Sequence, residues 1–208
     1  MRFQKIHILI FTIWLFHISG SIGILLGFQD WFAPLTPLNL GICIAAILIV
    51  EYENNKQQLP YFIIPFLIGF MAEWLGVNTG LIFGEYSYGN NLGIKFQGVP
   101  WMIGINWVIL VYSTSAVAQK YFSNKILVAI VGAVIMVVLD IFMELCAPRF
   151  DFWLFRDGIV PIQNYIAWFI IAFMAHLLFN KYFVSKNDNL ASHVLIVFFL
   201  FFMLFSLV

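Results

Sequence analysis

The chain has 208 residues, 63% of them hydrophobic and only 10% charged, and its ten basic and ten acidic side chains cancel. A soluble domain is about half apolar and about a quarter charged; a mean hydropathy of +0.98 leaves too little polar surface to cover a globule in water, so the solvent is a bilayer. A net charge of zero also excludes the basic footprint that nucleic-acid binding requires.

A transmembrane helix takes about 20 mostly apolar residues. Seven candidate segments meet that requirement, at about 6–27, 36–51, 60–77, 99–118, 125–146, 162–180 and 190–208. They predict an all-α integral membrane protein, a polytopic bundle of about seven transmembrane helices forming a single domain over residues 1–208. The first segment follows Arg2 and Lys5 as a signal peptide would. Its apolar run is longer than a signal core and is interrupted by His7 and His17, so it reads as a retained span. The second segment is short, and the third is expected to break near Gly76. Polar connectors follow: "EYENNKQQL" at 51–59, "QKYFSNK" at 119–125 and "NKYFVSKNDN" at 180–189, together with two richer stretches at 77–98 and 147–161.

Seven crossings put the two ends of the chain on opposite sides. One side then collects Arg2, Lys5, Lys56, Lys120, Lys125, Lys181 and Lys186, and the other only Lys95, Arg149 and Arg156. The positive-inside rule makes the N-terminus cytoplasmic and the C-terminus external, in a bacterial inner membrane.

The same topology gathers the acids. Glu73 falls near the outer end of the third segment, and Asp140 and Glu144 near the outer end of the fifth. Asn164 falls in the first turn of the sixth, with Asn106 about two turns into the fourth. An acid inside a span costs about 2.5–3.5 kcal/mol and usually faces a bundle interior or a cavity. Asp140 and Glu144, four residues apart, share one helix face. Two carboxyls so close in a dry place do not both ionise cheaply, so one can give a proton and the other take one. Membrane acids also serve as interhelical glue or as ion-path residues, and that reading stands beside the chemical one. Glu85, Asp151 and Asp157 lie in loops and read as solvated, or paired with Lys95, Arg149 and Arg156.

Gly76, Gly80 and Gly84 recur every fourth residue, either as one small helix face or as part of a re-entrant turn. Trp74, Tyr86, Tyr88, Trp101, Trp107, Trp153 and Trp168 cluster around the acidic level. An interfacial aromatic belt and a pocket that shelters a cation both explain such a cluster. Cys43 and Cys146, in separate apolar runs, read as buried small side chains. His7, His17, His176 and His193 are isolated, without the close spacing that imidazole-ligated metal clusters need. There is no phosphate-binding glycine loop, no dinucleotide fingerprint and no aspartate-rich magnesium motif. Acid–base chemistry on an apolar substrate remains, with no metal and no cofactor expected.

Three blocks, "EWLGVNTGLIFGEYSYG" with "LGIKFQGVPW", "LDIFMELCAPRFDFW" and "VPIQNYIAWF", resemble the membrane carotenoid-biosynthesis family of the carotenoid 1,2-hydratase and bisanhydrobacterioruberin hydratase type. The resemblance runs over about 70–170. In many relatives a proline directly follows the acid at the position of Glu144; here the next proline is Pro148. The resemblance implies addition of water to the terminal double bond of an acyclic carotenoid end, a hydro-lyase activity. It also implies a lipophilic substrate, surrounding lipid and other carotenoid-biosynthesis enzymes as partners.

On that reading Asp140 and Glu144 supply the proton, Asp140 foremost, while Glu73 or Glu144 holds the water with Asn164. Trp74, Thr79, Tyr86, Tyr88, Asn106, Trp107, Trp153 and Trp168 are the candidate substrate contacts. Three alternatives remain. A carotenoid end-cyclase would add no mass, a proton-coupled transporter would need polar groups in the cytoplasmic half, and a scaffold would tolerate loss of the acids. The cytoplasmic half reads as nearly pure apolar.

Overall fold

The structure is a computed structural model and describes residues 2–186 and 189–208. Residues 187 and 188 of the expected connector at 180–189, Met1, and the side chains of Arg2 and Phe3 lie outside the described residues. The long helices are α1 (Arg2–Leu25), α3 (Thr36–Asn55), α4 (Ile63–Thr79), α5 (Trp101–Tyr121), α6 (Lys125–Cys146), α7 (Ile162–Phe179) and α8 (Asn189–Ser206), with a short α2 (Gln29–Phe32) after the first.

Local chemistry explains the boundaries. Asn124 caps α6, its side-chain oxygen accepting from the backbone N–H groups of Ile126 and Leu127. Pro100 and Pro161 sit immediately before α5 and α7 in extended conformation. Gly80, at φ +67, closes α4 in the left-handed conformation that glycine adopts without strain. The helix therefore passes unbroken through Gly76, contrary to the expected break. Gly80 and Gly84 (φ +99) both follow the helix, so the three glycines do not form a continuous helical face; the last two are turn glycines in conformations that other residues resist.

Among the described residues, six helical stretches rather than seven are long and apolar enough to cross a membrane. The difference lies at Gln29–Thr79, a single helical run of 51 residues that joins the second and third expected segments. The connector at 51–59 is helical because α3 extends to Asn55 and a 3-10 helix, Lys56–Phe62, carries the chain on to α4 through Pro60. A straight helix of that length would measure about 77 Å, more than twice the hydrocarbon thickness. The run instead doubles back. Thr36 and Leu40 lie with Ile103 and Asn106, and Glu51 bonds Tyr112, so α3 runs parallel to α5. Phe62 then packs on Tyr112 and Glu73 reaches Trp107, so α4 runs antiparallel to it.

Helix α5 is the axis of the bundle: it packs against α3, α4, α6, α7 and α8, and 14 of its 21 residues are buried. The outer helices turn apolar faces outward as well as inward. On α6 the inner stripe is Val128, Ala129, Gly132, Ala133, Met136, Leu139, Asp140, Met143 and Glu144, while Ile126, Ile130, Val134, Val138, Ile141 and Leu145 are exposed to the surroundings. What separates inside from outside is small size and polarity, since both faces are hydrophobic. Gly132 shows why size matters: the His176 imidazole lies directly against it, and Thr114 shares that ring's Nε2 at 2.7 Å.

The loops at one end form a cap. Strand β1 (Tyr86–Tyr88) pairs antiparallel with β4 (Trp153–Phe155), while β2 (Lys95–Phe96) pairs with β3 (Val99–Pro100). Further bonds join the two loops: Gly89 N–H donates to Phe152 O, Asn91 N–H to Asp151 O, and Asn90 N–H to the Asp151 carboxylate. Gly89 lies so close to the Asp151 carbonyl that no side chain fits there. Glu85 pairs with Arg156 as expected, whereas Lys95 bonds the Tyr88 carbonyl and Arg149 bonds Gln29. The cysteines are buried and free.

The opposite half of the bundle is not nearly pure apolar, which corrects the sequence reading. Glu51, Ser113, Thr114, Ser115, His176 and Asn180 are all buried there. Glu51 is hidden because α3 extends past the point where the hydropathy falls.

Replacing Gly132 by valine forces α6 away from His176 and should destabilise the fold by about 1–3 kcal/mol, the usual penalty for overpacking. Gly41→Ala, where the added carbon meets open space inside α3, should leave the thermal midpoint in detergent unlowered or raise it, since alanine is the better helix former.

Candidate active site

Glu73 stands on the last turns of α4 and is 3% exposed. Its Oε2 accepts from the Tyr86 hydroxyl at 2.6 Å and the Tyr88 hydroxyl at 2.7 Å, and its Oε1 accepts from Trp107 Nε1 at 3.2 Å. Strand β1 supplies both tyrosines. Residues 86 and 88 of a strand point to one face, and the register sets Tyr86 opposite Phe155 and Tyr88 opposite Trp153.

Asp140 and Glu144 share the inner face of α6, and Asn164 faces them from the first turn of α7. The Asn164 amide gives one proton to Asp140 Oδ2 at 3.0 Å and the other to Glu144 Oε1 at 3.1 Å. Trp153 Nε1 holds Glu144 Oε2 at 2.8 Å. Asp140 is fully buried, and its Oδ1 has no hydrogen-bond partner. With both amide protons used, the Asn164 carbonyl oxygen is the atom of that side chain left to accept a bond.

A cavity joins the two carboxylate clusters. Glu73, Tyr86, Tyr88, Asn106, Trp107, Glu144, Trp153, Asn164 and Trp168 line it. The space that the centre of a water molecule can occupy is about 20 Å³, room for one water. Trp107 and Trp168 stack at 4.7 Å between centroids, with their planes 20° apart, and form one wall.

Of the expected site residues, the structure brings together Glu73, Asp140, Glu144, Asn164, Tyr86, Tyr88, Asn106, Trp107, Trp153 and Trp168. Asp140 does not line the cavity but lies behind Glu144 and Asn164. Two residues stand apart. Trp74 turns outward to bond Gln97 at 2.6 Å, and exposed Thr79 spends its hydroxyl on the Leu75 carbonyl and the Leu81 N–H. Trp101, from the wider aromatic cluster, stacks on Phe66 and Phe70.

Phe83, Ile103, Met143 and Phe155 line the cavity and were not anticipated. Helical spacing offered a signal for two of them: Met143 is one turn from Asp140, and Ile103 is one turn from Asn106 and Trp107. Phe83 and Phe155 carry no such signal, because their positions depend on the pairing of the two loops. Among the described residues, no group of three or more His, Cys, Asp or Glu side chains is placed to hold a metal ion.

The profile of the carotenoid biosynthesis protein family matches residues 35–208. The chain belongs to that family. The match takes in every helix that lines the cavity and reaches well beyond the 70–170 blocks. Over 123 residues the chain is 29% identical to a protein of Haloarcula japonica named bisanhydrobacterioruberin hydratase, covering 55% of this chain and 42% of that relative. The chain thus spans less than half the length of that curated relative. No solved structure matches it.

In this member of the family, burial foremost and then the Glu73 charge push the Tyr86 and Tyr88 phenols well above the ordinary value of 10. A folded-state value above the unfolded one stabilises the fold below about pH 10, where unfolded tyrosine begins to ionise, and that contribution is lost as pH rises further. Wild-type protein should lose thermal stability above about pH 10. Replacing both tyrosines with phenylalanine should flatten that alkaline decline while lowering stability at neutral pH, because Glu73 then loses two donors.

Proposed function

We propose that this protein is a carotenoid hydratase, adding water to the terminal double bond of an acyclic carotenoid end by acid–base, carbocation chemistry without a cofactor. The observation that carries the reading is the Asp140–Asn164–Glu144 cluster beside a one-water cavity walled by stacked indoles.

Glu144 is the proton donor. Unlike Asp140 it lines the cavity, and its bonds from Trp153 and Asn164 leave the acid's own hydrogen free to point inward. The π electrons of the alkene take that proton on the less substituted carbon, a C–H bond forms, and the other carbon becomes a tertiary cation. The Trp107–Trp168 pair and the Glu73 carboxylate stabilise the positive charge. The water, held by the Asn164 carbonyl oxygen, then forms the C–O bond and returns a proton to Glu144. The net change is one water added to the double bond, with the acid restored. Asp140 is a positioning residue: it takes one Asn164 amide proton and so aims the other at Glu144.

A proton-coupled transporter is the second reading, and the buried polar groups of the opposite half favour it. Along α6 and α7, however, Ala133, Met136, Leu139 and Ala172 intervene between the two polar levels, each with 0% exposure. A dry layer of that kind interrupts a proton path.

Lys5, Lys56, Lys120, Lys125, Lys181 and Lys186 fall at the end away from the cap. This supports one transmembrane domain in a bacterial inner membrane, with a cytoplasmic N-terminus, an external C-terminus and the site near the outer face. Other carotenoid-biosynthesis enzymes are the natural partners on this reading.

Expression in a bacterium that accumulates lycopene, followed by chromatography and mass spectrometry of the pigments, tests the activity. The expected product is heavier by one or two waters, whereas an isomer of unchanged mass would indicate cyclisation. Glu144→Gln should lower conversion by about 10²–10⁴-fold, the range for loss of a general acid. Asp140→Asn should cost less. A double variant at Asp140 and Glu144 that converts substrate normally would sink the assignment of these acids.

A further inference from the structure

The inner cavity is the end of a series. A second void of about 60 Å³ of free volume, lined by Thr36, Asn39, Leu40, Leu92, Phe198 and Phe202 among others, shares Ile103, Asn106, Met143 and Trp153 with it. A third, of about 310 Å³, shares His17, Thr36, Asn39, Phe152 and Phe201 with the second. The free volume therefore tapers from about 310 to 60 to 20 Å³ toward Glu144.

The outer void lies between α1, α2 and the start of α3, and Leu15, Phe16 and Leu38, 47%, 41% and 53% exposed, form part of its wall. These residues lie within the apolar helices that face lipid. Its opening is thus sideways, toward hydrocarbon.

The boundary between the outer and middle voids contains one hydrogen-bonded pair, His17 with Asn39, beside Thr36, Phe152 and Phe201. His17 Nδ1 donates to the Ile13 carbonyl at 2.8 Å, which leaves Nε2 to accept from the Asn39 amide at 3.1 Å. The next boundary is formed by Trp153, Asn106, Ile103 and Met143, and Trp153 is itself bonded to Glu144. Two side-chain boundaries thus separate the bilayer from the acid.

We propose that the three voids form one lateral groove that takes the chain of a long, linear isoprenoid polyene from the bilayer between α1 and α3 and presents its end to Glu144. The assignment rests on the hydratase reading of the acid site. A tapering groove whose outer and middle parts are mostly apolar, that opens to lipid and ends at one water, fits a rod-like hydrocarbon whose tip alone reacts. It does not fit a soluble metabolite, which would need an aqueous mouth and polar partners along its length.

Gly20 allows a clean test. It lines the outer void, and a carbon added there meets nothing within 4 Å, so Gly20→Phe projects a ring into the groove from an unopposed first carbon. Gly41, on α3, has equally open space and lines none of the three voids, so Gly41→Phe is the matched control. Full-length wild type and both variants are purified from membranes containing lycopene, and bound pigment per protein is measured by visible absorbance.

Water added to an isolated terminal double bond leaves the conjugated chromophore intact, so absorbance counts bound pigment whether or not it has reacted. Mass analysis of the extracted pigment reports hydration separately. The groove predicts pigment on wild type and on Gly41→Phe, and at least fivefold less on Gly20→Phe at equal thermal stability. No pigment on wild type, or equal retention or equal loss in the two variants, overturns it. Bound pigment without added water, lost on Gly20→Phe, would instead uphold the groove and remove the hydratase reading.

Discussion

A carboxyl group in hydrocarbon has to bring its own solvent. Each acid costs about 2.5–3.5 kcal/mol to insert, and each hydrogen bond to a charged group returns about 1.5–3 kcal/mol. The cap of this protein is organised around that exchange. Glu73 receives three donors, Glu144 two and Asp140 one. Four of the side chains involved, Tyr86, Tyr88, Trp107 and Trp153, are large aromatics with a polar tip. Each excludes water with its ring while its hydroxyl or indole N–H solvates the acid, which is how the site stays dry and still holds charge.

Hydropathy made the helices legible, because a bilayer imposes length and composition together. Counting spans then put Glu73, Asp140, Glu144, Asn106 and Asn164 at one level without any knowledge of the contacts, and the structure has them meeting there. The reading of residues 51–59 as a loop failed, because a polar stretch that looks like a connector by hydropathy keeps its helical hydrogen bonds up to a 3-10 turn and joins two helices into one run. Glu51 was hidden for the same reason, lying at the edge of that stretch while burying itself against Tyr112.

Geometry on a single helix accounts for the errors in the site. Trp74 follows Glu73 directly and is rotated by about 100° on α4, and Thr79 by about 240°; both turn away from the acid here, although the same single-residue step on α5 and α6 leaves Trp107 beside Asn106 and Glu144 beside Met143 in the cavity. The rotation was available from spacing. The β1–β4 pairing was not: three-residue strands have no periodicity to detect, and the residues that make the ladder are separated by two transmembrane helices. Trp153 and Phe155 reach the acids only through that long-range pairing. Helix packing brings Trp107 and Trp168 to the acids, and the loop pairing brings Trp153 and Phe155.

The ladder also bears on how the protein is made. A membrane chain enters the bilayer from its N-terminal end, so α4 arrives with Glu73 well before Trp153 has been synthesised, and α6 arrives with Asp140 and Glu144 ahead of both Trp153 and Asn164. Until the loop after α6 has folded against β1 and α7 has followed, two carboxyls lack most of their donors. For that interval the nascent bundle carries an uncompensated polar defect at one end, a feature by which a cell's insertion and quality-control machinery can tell an unfinished chain from a finished one. Closing the cap therefore waits for α7, and only α8 follows it in the chain.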